Sequence, residues 1–146
     1  MSCRGMERTG KCLCGALALT AHDVDDKVAA CHCGMCLRWA GGPWMGVTVG
    51  SIDFEDDSAL GVVASSAWAE RGFCTKCGSS VFYRVTAEGT FEGLTSVSFG
   101  LLDDKSGLSF DKEWFIDRKP ECYAFAGERP QVTEAEVLSI FTDLGA

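Results

Sequence analysis

Cys31-His32-Cys33-Gly34-Met35-Cys36 places three cysteines in six residues and runs straight into Leu37-Arg38-Trp39-Ala40-Gly41-Gly42-Pro43-Trp44. Structural zinc sites close with four protein ligands, whereas catalytic zinc sites keep three and leave the last position to water or substrate. A CxCxxC trio has the second count. The reading of the chain therefore turns on whether another residue joins it. Cys3, Cys122, His22 and His32 are the candidates. Cys3 belongs to a loose N-terminal lead-in, and His32 should face away from its two neighbours if the backbone is extended. His22 follows a strand, and Cys122 among Pro120, Tyr123 and Phe125 reads as a buried structural thiol.

The chain has nine cysteines in 146 residues. Cys12 and Cys14 form a CxCG unit, and Cys74 and Cys77 form an FCxxCG unit with Phe73 and Gly78. In a chain read as lacking a secretory signal, such clusters are metal ligands before they are disulfides. Residues two apart in extended backbone sit about 6 to 7 Å apart, but sulfurs around tetrahedral zinc lie only about 3.8 Å apart. The backbone must turn at CxC, and Gly15 and Gly78 supply the freedom to do so. Cys12, Cys14, Cys74 and Cys77 read as a closed structural zinc site that staples the first strand to a central hairpin. Cys31, Cys33 and Cys36 read as an open catalytic one. Spacing alone leaves open an exchange of members between the two sets.

Outward from these clusters the pattern is mainly β. Ala16–Ala21 alternates with its leucines on one face, and Val28–Ala30 leads as a short strand into the trio. Leu37–Ala40 predicts one helical turn, which Gly41-Gly42-Pro43 breaks. Trp44–Val49, Ile52–Phe54, Leu94–Leu101 and Glu113–Asp117 are further strands, and Cys74–Gly78 is the knuckle of a hairpin. One helix is predicted over about 133–144. There Thr133-Glu134-Ala135-Glu136 has the TxxE form of a capping box, and Val137, Ile140, Phe141 and Leu144 follow at helical spacing. No repeat or long linker divides the chain, so residues 1–146 are expected to form a single zinc-binding domain.

Hydrophobic residues make up 47% of the sequence but come in short pieces, which predicts a protein with no membrane span and a cytoplasmic location. Thirteen basic residues against 21 acidic ones give a formal charge of -8. Seven thiolates and two zinc ions would take it to about -11. That balance opposes attraction to phosphate and predicts no nucleic-acid partner.

Together, CxCG at 12–15, CxCxxC at 31–36 and FCxxCG at 73–78 resemble the glutathione-dependent formaldehyde-activating family, which has an Mss4-like zinc-containing β fold. Asp117-Arg118-Lys119-Pro120 and Tyr123-Ala124-Phe125 extend the likeness, which covers roughly residues 9–130. The resemblance implies a structural zinc on Cys12, Cys14, Cys74 and Cys77 and an exchangeable one on Cys31, Cys33 and Cys36. It also implies an S-hydroxymethylglutathione synthase-like carbon-sulfur lyase activity, with glutathione as the small-molecule thiol substrate and formaldehyde as its partner. A zinc-bound thiol is deprotonated at neutral pH. Three thiolates weaken the Lewis acidity of the ion, so sulfur binding should outweigh carbonyl activation.

Glutathione carries two carboxylates, and Arg38, two residues after Cys36, is the first cationic candidate for them. Trp39 and Trp44 are candidate pocket walls, and Arg71, Arg118 and Lys119 rank lower. The competing readings are a noncatalytic zinc-stabilised protein-binding module, and metal or thiol sensing by the trio.

Overall fold

The computed structural model describes residues 6–143. Two sheets carry the chain. A three-stranded antiparallel sheet has the order β1-β2-β5, formed by β1 (Arg8–Lys11), β2 (Ala18–His22) and β5 (Ser51–Phe54). The larger sheet comprises β3 (Lys27–Cys31), β4 (Trp44–Val49), β6 (Leu60–Ala64), β7 (Ala69–Cys74), β8 (Ser80–Val85), β9 (Thr95–Ser98), β10 (Ser109–Trp114) and β11 (Gln131–Val132). Its order is β11-β10-β3-β4-β9-β8-β7-β6. β10 runs parallel to both β3 and β11, and the remaining pairs are antiparallel. Helix α1 (Gly34–Ala40) follows β3, and α2 (Glu134–Asp143) follows β11.

Alternation explains the strands. In β2 Leu19 and Ala21 face inward and in β3 Val28 and Ala30, whereas β8 buries the consecutive Val81 and Phe82 where its pairing with β7 shifts register. All of these but Ala30 meet Leu17, Val47 and Val97 in the main core, which takes residues from both sheets. The two sheets also join at Gly10, which bridges to Leu102. A Cβ on Gly10 would lie 2.5 Å from the Leu101 carbonyl oxygen, so only glycine admits this approach. Next to it, the Arg8 guanidinium donates to the carbonyls of Asp104 (2.8 Å) and Ser106 (2.9 Å) and pins the loop before β10.

Several boundaries differ from the sequence reading. The strand expected at Ala16–Ala21 is Ala18–His22, because Cys12–Gly15 forms a tight turn closed by the Gly15 N–H to the Cys12 carbonyl. The strand expected at Glu113–Asp117 ends at Trp114. Phe115 takes a positive φ of 58°, and a 3-10 turn spans Ile116–Arg118. Leu94–Leu101 likewise pairs only over Thr95–Ser98 before a 3-10 turn at Phe99–Leu101. The helical turn expected at Leu37–Ala40 begins earlier, at Gly34, because the Cys33 sulfur caps it.

The capping box of α2 forms as expected. The Glu136 N–H donates to the Thr133 hydroxyl, and the Thr133 N–H donates back to the Glu136 carboxylate (3.1 Å). Of the apolar positions expected to pack this helix, Val137 is buried and Ile140 is 39% exposed. Leu144 lies outside the described residues. No helix among them is long and apolar enough to cross a membrane.

Candidate metal centres and the site around them

The sulfurs of Cys12, Cys14, Cys74 and Cys77 all lie within 4.8 Å of one another. Cys12 and Cys14 come from the turn between β1 and β2, Cys74 from the end of β7 and Cys77 from the turn that leads into β8. The group therefore joins the small sheet to the large one. Cys12 Sγ is 3.7 Å from Cys14 Sγ, and Cys14 Sγ is 3.8 Å from Cys74 Sγ. Those are the edge lengths of a tetrahedron of sulfurs with metal bonds of about 2.3 Å, so the donor set fits zinc. Gly15 and Gly78 take φ values of 82° and 81°, the left-handed conformation the two turns require. The Ser79 hydroxyl links the turns, accepting from Leu13 N–H (3.0 Å) and lying 3.2 Å from Cys77 Sγ. Hydrogen bonds from Ser79 push the Cys77 thiol down to about 5, which keeps it in the thiolate form that binds metal.

The second group is Cys31, Cys33 and Cys36, also within 4.8 Å of one another. Cys31 ends β3, opposite Trp44 on β4 and Trp114 on β10. Cys33 caps α1, accepting from the Cys36 N–H at 3.4 Å, and Cys36 is buried on the first turn of that helix. Gly41, at φ 79°, closes the helix. Hydrogen bonds from Cys31 and Cys36 hold the Cys33 thiol far below its usual value, whereas those of Cys31 with Cys33 and Cys36, together with burial, push Cys31 up. Three sulfurs that share protons in this way form a soft, anionic cradle suited to zinc.

Among the described residues no further His, Cys, Asp or Glu joins this group. Cys3 lies outside them. His22 engages Glu7 (3.1 Å) and Asp53 (2.7 Å) on the small sheet. Cys122 is exposed, which corrects its reading as a buried thiol: it sits in the turn after Pro120.

His32 does turn away from its neighbours, into a polar network that the sequence did not signal. Its side chain is wholly buried. Nδ1 meets the Tyr123 hydroxyl and Nε2 the Glu113 carboxylate, both at 2.8 Å. Arg129 donates to the other Glu113 oxygen (2.8 Å), and Gln131 adds a longer bond (3.3 Å). Both ring nitrogens are thereby committed, and the backbone between Cys31 and Cys33 is anchored from behind. Burial alone would raise the Glu113 carboxyl, but the bonds from His32, Arg129 and Gln131 outweigh it and hold it below its ordinary value of 4.5.

A carboxyl depressed by folding contributes stability that is complete above the unfolded value and is lost as pH falls through the folded one. Urea midpoints should therefore decline from about pH 5 downward. Glu113→Gln should flatten that slope while costing about 3 kcal/mol at neutral pH. An unchanged acid slope in the variant would count against the network.

On its other side the trio meets Trp39, Trp44, Tyr83 and Phe115. The Trp44 Nε1–H donates to the Ser98 hydroxyl (2.8 Å), and its ring lies 5.4 Å from that of Trp39 and 6.4 Å from that of Tyr83. Arg38 is exposed on α1 and Trp39 is half-buried. The cation that reaches the sulfurs is Arg71 of β7, a residue the sequence ranked low. Strand alternation carried the signal: Ala69 and Arg71 face inward, while Glu70 between them faces out to Arg84.

A model of the glutathione-dependent formaldehyde-activating enzyme family matches residues 7–118, a stretch containing all seven clustered cysteines. The chain belongs to this family. A similar protein is known from Schizosaccharomyces pombe, where it is described as an uncharacterized lyase. It is 32% identical over 133 residues, covering 90% of this chain and 95% of that one. A Rhodobacter sphaeroides protein of known crystal structure shares the fold at a TM-score of 0.53 and 17% identity, over 86% of this chain and 99% of the other.

Proposed function

We propose that this chain is a zinc-dependent carbon-sulfur lyase-type enzyme acting on glutathione and formaldehyde, or on a related thiol adduct. In this reading Cys31, Cys33 and Cys36 hold the catalytic zinc, and Cys12, Cys14, Cys74 and Cys77 hold the structural one. The observation that carries the proposal is the contrast between the two groups. Four sulfurs complete a tetrahedron in one, while in the other three sulfurs stand without a further protein ligand among the described residues. The family match and the relative's description as a lyase support the reaction class.

A zinc held by Cys31, Cys33 and Cys36 would favour the thiolate form of a substrate sulfur brought to it. In the addition direction a bond forms between that sulfur and the formaldehyde carbon. The carbonyl double bond opens, and the thiol proton ends on the oxygen, giving S-hydroxymethylglutathione; the lyase direction reverses each change. The chain's own residues prepare the place. His32 fixes the backbone between two sulfurs, the Cys36 N–H orients the Cys33 sulfur, and Trp39, Trp44, Tyr83 and Phe115 shield the trio from water. Arg38, exposed on α1, offers a guanidinium fork to a glutathione carboxylate, and the half-buried Trp39 ring lines the trio's side of the same helix.

Metal counting with a glutathione titration tests the proposal. Two zinc ions per chain are expected, and in the cobalt-substituted protein glutathione should change the thiolate-to-cobalt absorption of one site only. Because glutathione and formaldehyde combine without a catalyst, turnover is read as a faster approach to the same equilibrium. One tightly held zinc, no glutathione effect and no acceleration would leave the noncatalytic binding module as the better reading.

A further inference from the structure

Arg71 is 3% exposed, yet among the described residues no carboxylate pairs with it. A guanidinium taken out of water without a counter-ion is costly, so something in this site must offset its charge. Its one hydrogen-bond acceptor among the described residues is sulfur: Nη1 lies 3.5 Å from Cys36 Sγ. Two rings hold the guanidinium in place, Trp39 at 4.8 Å and Tyr83 at 5.0 Å from its carbon to their centroids. Tyr83 stands directly opposite Arg71 in the β7–β8 pairing, so the sheet register itself sets this contact. Nε is buried without a partner, which leaves the side chain committed through its Nη end.

Three thiolates around a divalent ion carry one net negative charge. Arg71 cancels it.

We propose that Arg71 is a positioning residue of the trio, donating to Cys36 Sγ and neutralising the metal-loaded cradle so that it retains a divalent ion and admits an anionic fourth ligand. This rests on the reading of Cys31, Cys33 and Cys36 as a metal centre and deepens it. A cradle of zero charge accepts a thiolate with less repulsion than one already negative, while a neutral ligand gains nothing from the difference. Arg71 thus makes the site selective for thiolates over neutral donors. It acts through the cysteine, without touching substrate.

The test uses the full chain loaded with cobalt at both sites, with the four-cysteine site as an internal control. Arg71→Met should lower cobalt affinity at the trio about 10- to 100-fold in chelator competition and leave the other site unchanged. It should also weaken glutathione binding more than imidazole binding, both read from the cobalt spectrum. Arg71→Lys, which keeps the charge but loses the planar fork, should preserve the glutathione-to-imidazole ratio while loosening the metal. It carries the test alone if Arg71→Met does not fold.

Equal loss of affinity at both sites would overturn the proposal, because it would mean that Arg71 serves only the fold. Unchanged affinity, or an equal effect on glutathione and imidazole in Arg71→Met, would do the same. So would an Arg71→Lys ratio shifted away from the parent value. A wild-type chain that takes up only one metal would instead sink the reading of the trio as a metal centre, before any variant is made.

Discussion

Cys74→Ser is expected to unfold the chain or to lower its stability by several kcal/mol, with loss of the tightly held zinc. Cys74 ends β7 and is completely buried, 3.8 Å from a sulfur sixty residues earlier in the chain. The turn behind it is folded back on itself. The Gly78 N–H donates to the Cys74 carbonyl (2.8 Å), and the Cys74 N–H donates to that of Ser79 (3.0 Å). A metal held by this group ties the small sheet to the large one, so its binding free energy is also folding free energy. In isolated zinc-binding peptides that amounts to about 10 to 16 kcal/mol. A domain is typically stable by only about 5 to 15 kcal/mol, so losing even a fraction of the metal's contribution is decisive. Serine brings a harder, weaker ligand to a dry position and leaves three thiolates behind. Urea titration and zinc content measure the outcome, and a variant with the parent midpoint and a full complement of zinc would refute the structural assignment.

Cys33→Ser should do the reverse, reducing the rate to that of the uncatalysed reaction while barely disturbing the fold. Cys33 is the N-cap of α1, and serine is among the preferred residues at that position. The hydroxyl can take over the bond from the Cys36 N–H, and the His32 anchor behind the loop is untouched. What is lost is one of three soft anionic donors, which the metal cannot spare. The thermal midpoint should stay within a few degrees of the parent, corresponding to about 1 kcal/mol or less. Cobalt absorption at the trio should collapse. A Cys33→Ser protein as unstable as Cys74→Ser, or one that still accelerates the approach to equilibrium, would dissolve the division between the two sites.

The cysteine groups were legible in the sequence because thiol spacing carries its own geometry. CxCG and CxxCG each contain the glycine that lets the backbone turn, and both turns take the positive φ that this implies. The capping box of α2 was legible for a similar local reason, since Thr133 and Glu136 need only each other. What escaped notice depends on partners far away in the chain. Glu113 reads as part of a strand, and nothing near it in sequence announces that His32 will be buried against it 81 residues earlier. β1 and β11 are short, and the registers of their neighbours make them strands more than their own composition does. Arg71 shows the same limit from the other side. Its spacing from Cys74 is plain, but the charge it faces exists only when β7, β8 and α1 have come together.

The two groups of sulfurs differ in how much of the chain must be folded before they exist. Cys31, Cys33 and Cys36 span six residues, so a disordered chain already holds the three donors within reach of a single ion. Cys14 and Cys74 are sixty residues apart, and their group cannot assemble until both sheets are in place. An ion that binds native and denatured chains alike leaves the balance between them unmoved, whereas one recognised only by the native state shifts it. A metal at the four-cysteine group would therefore bind only the assembled fold, whereas part of the trio's affinity would already be open to a disordered chain, and only the part that Arg71 and the folded cradle add would shift the folding equilibrium.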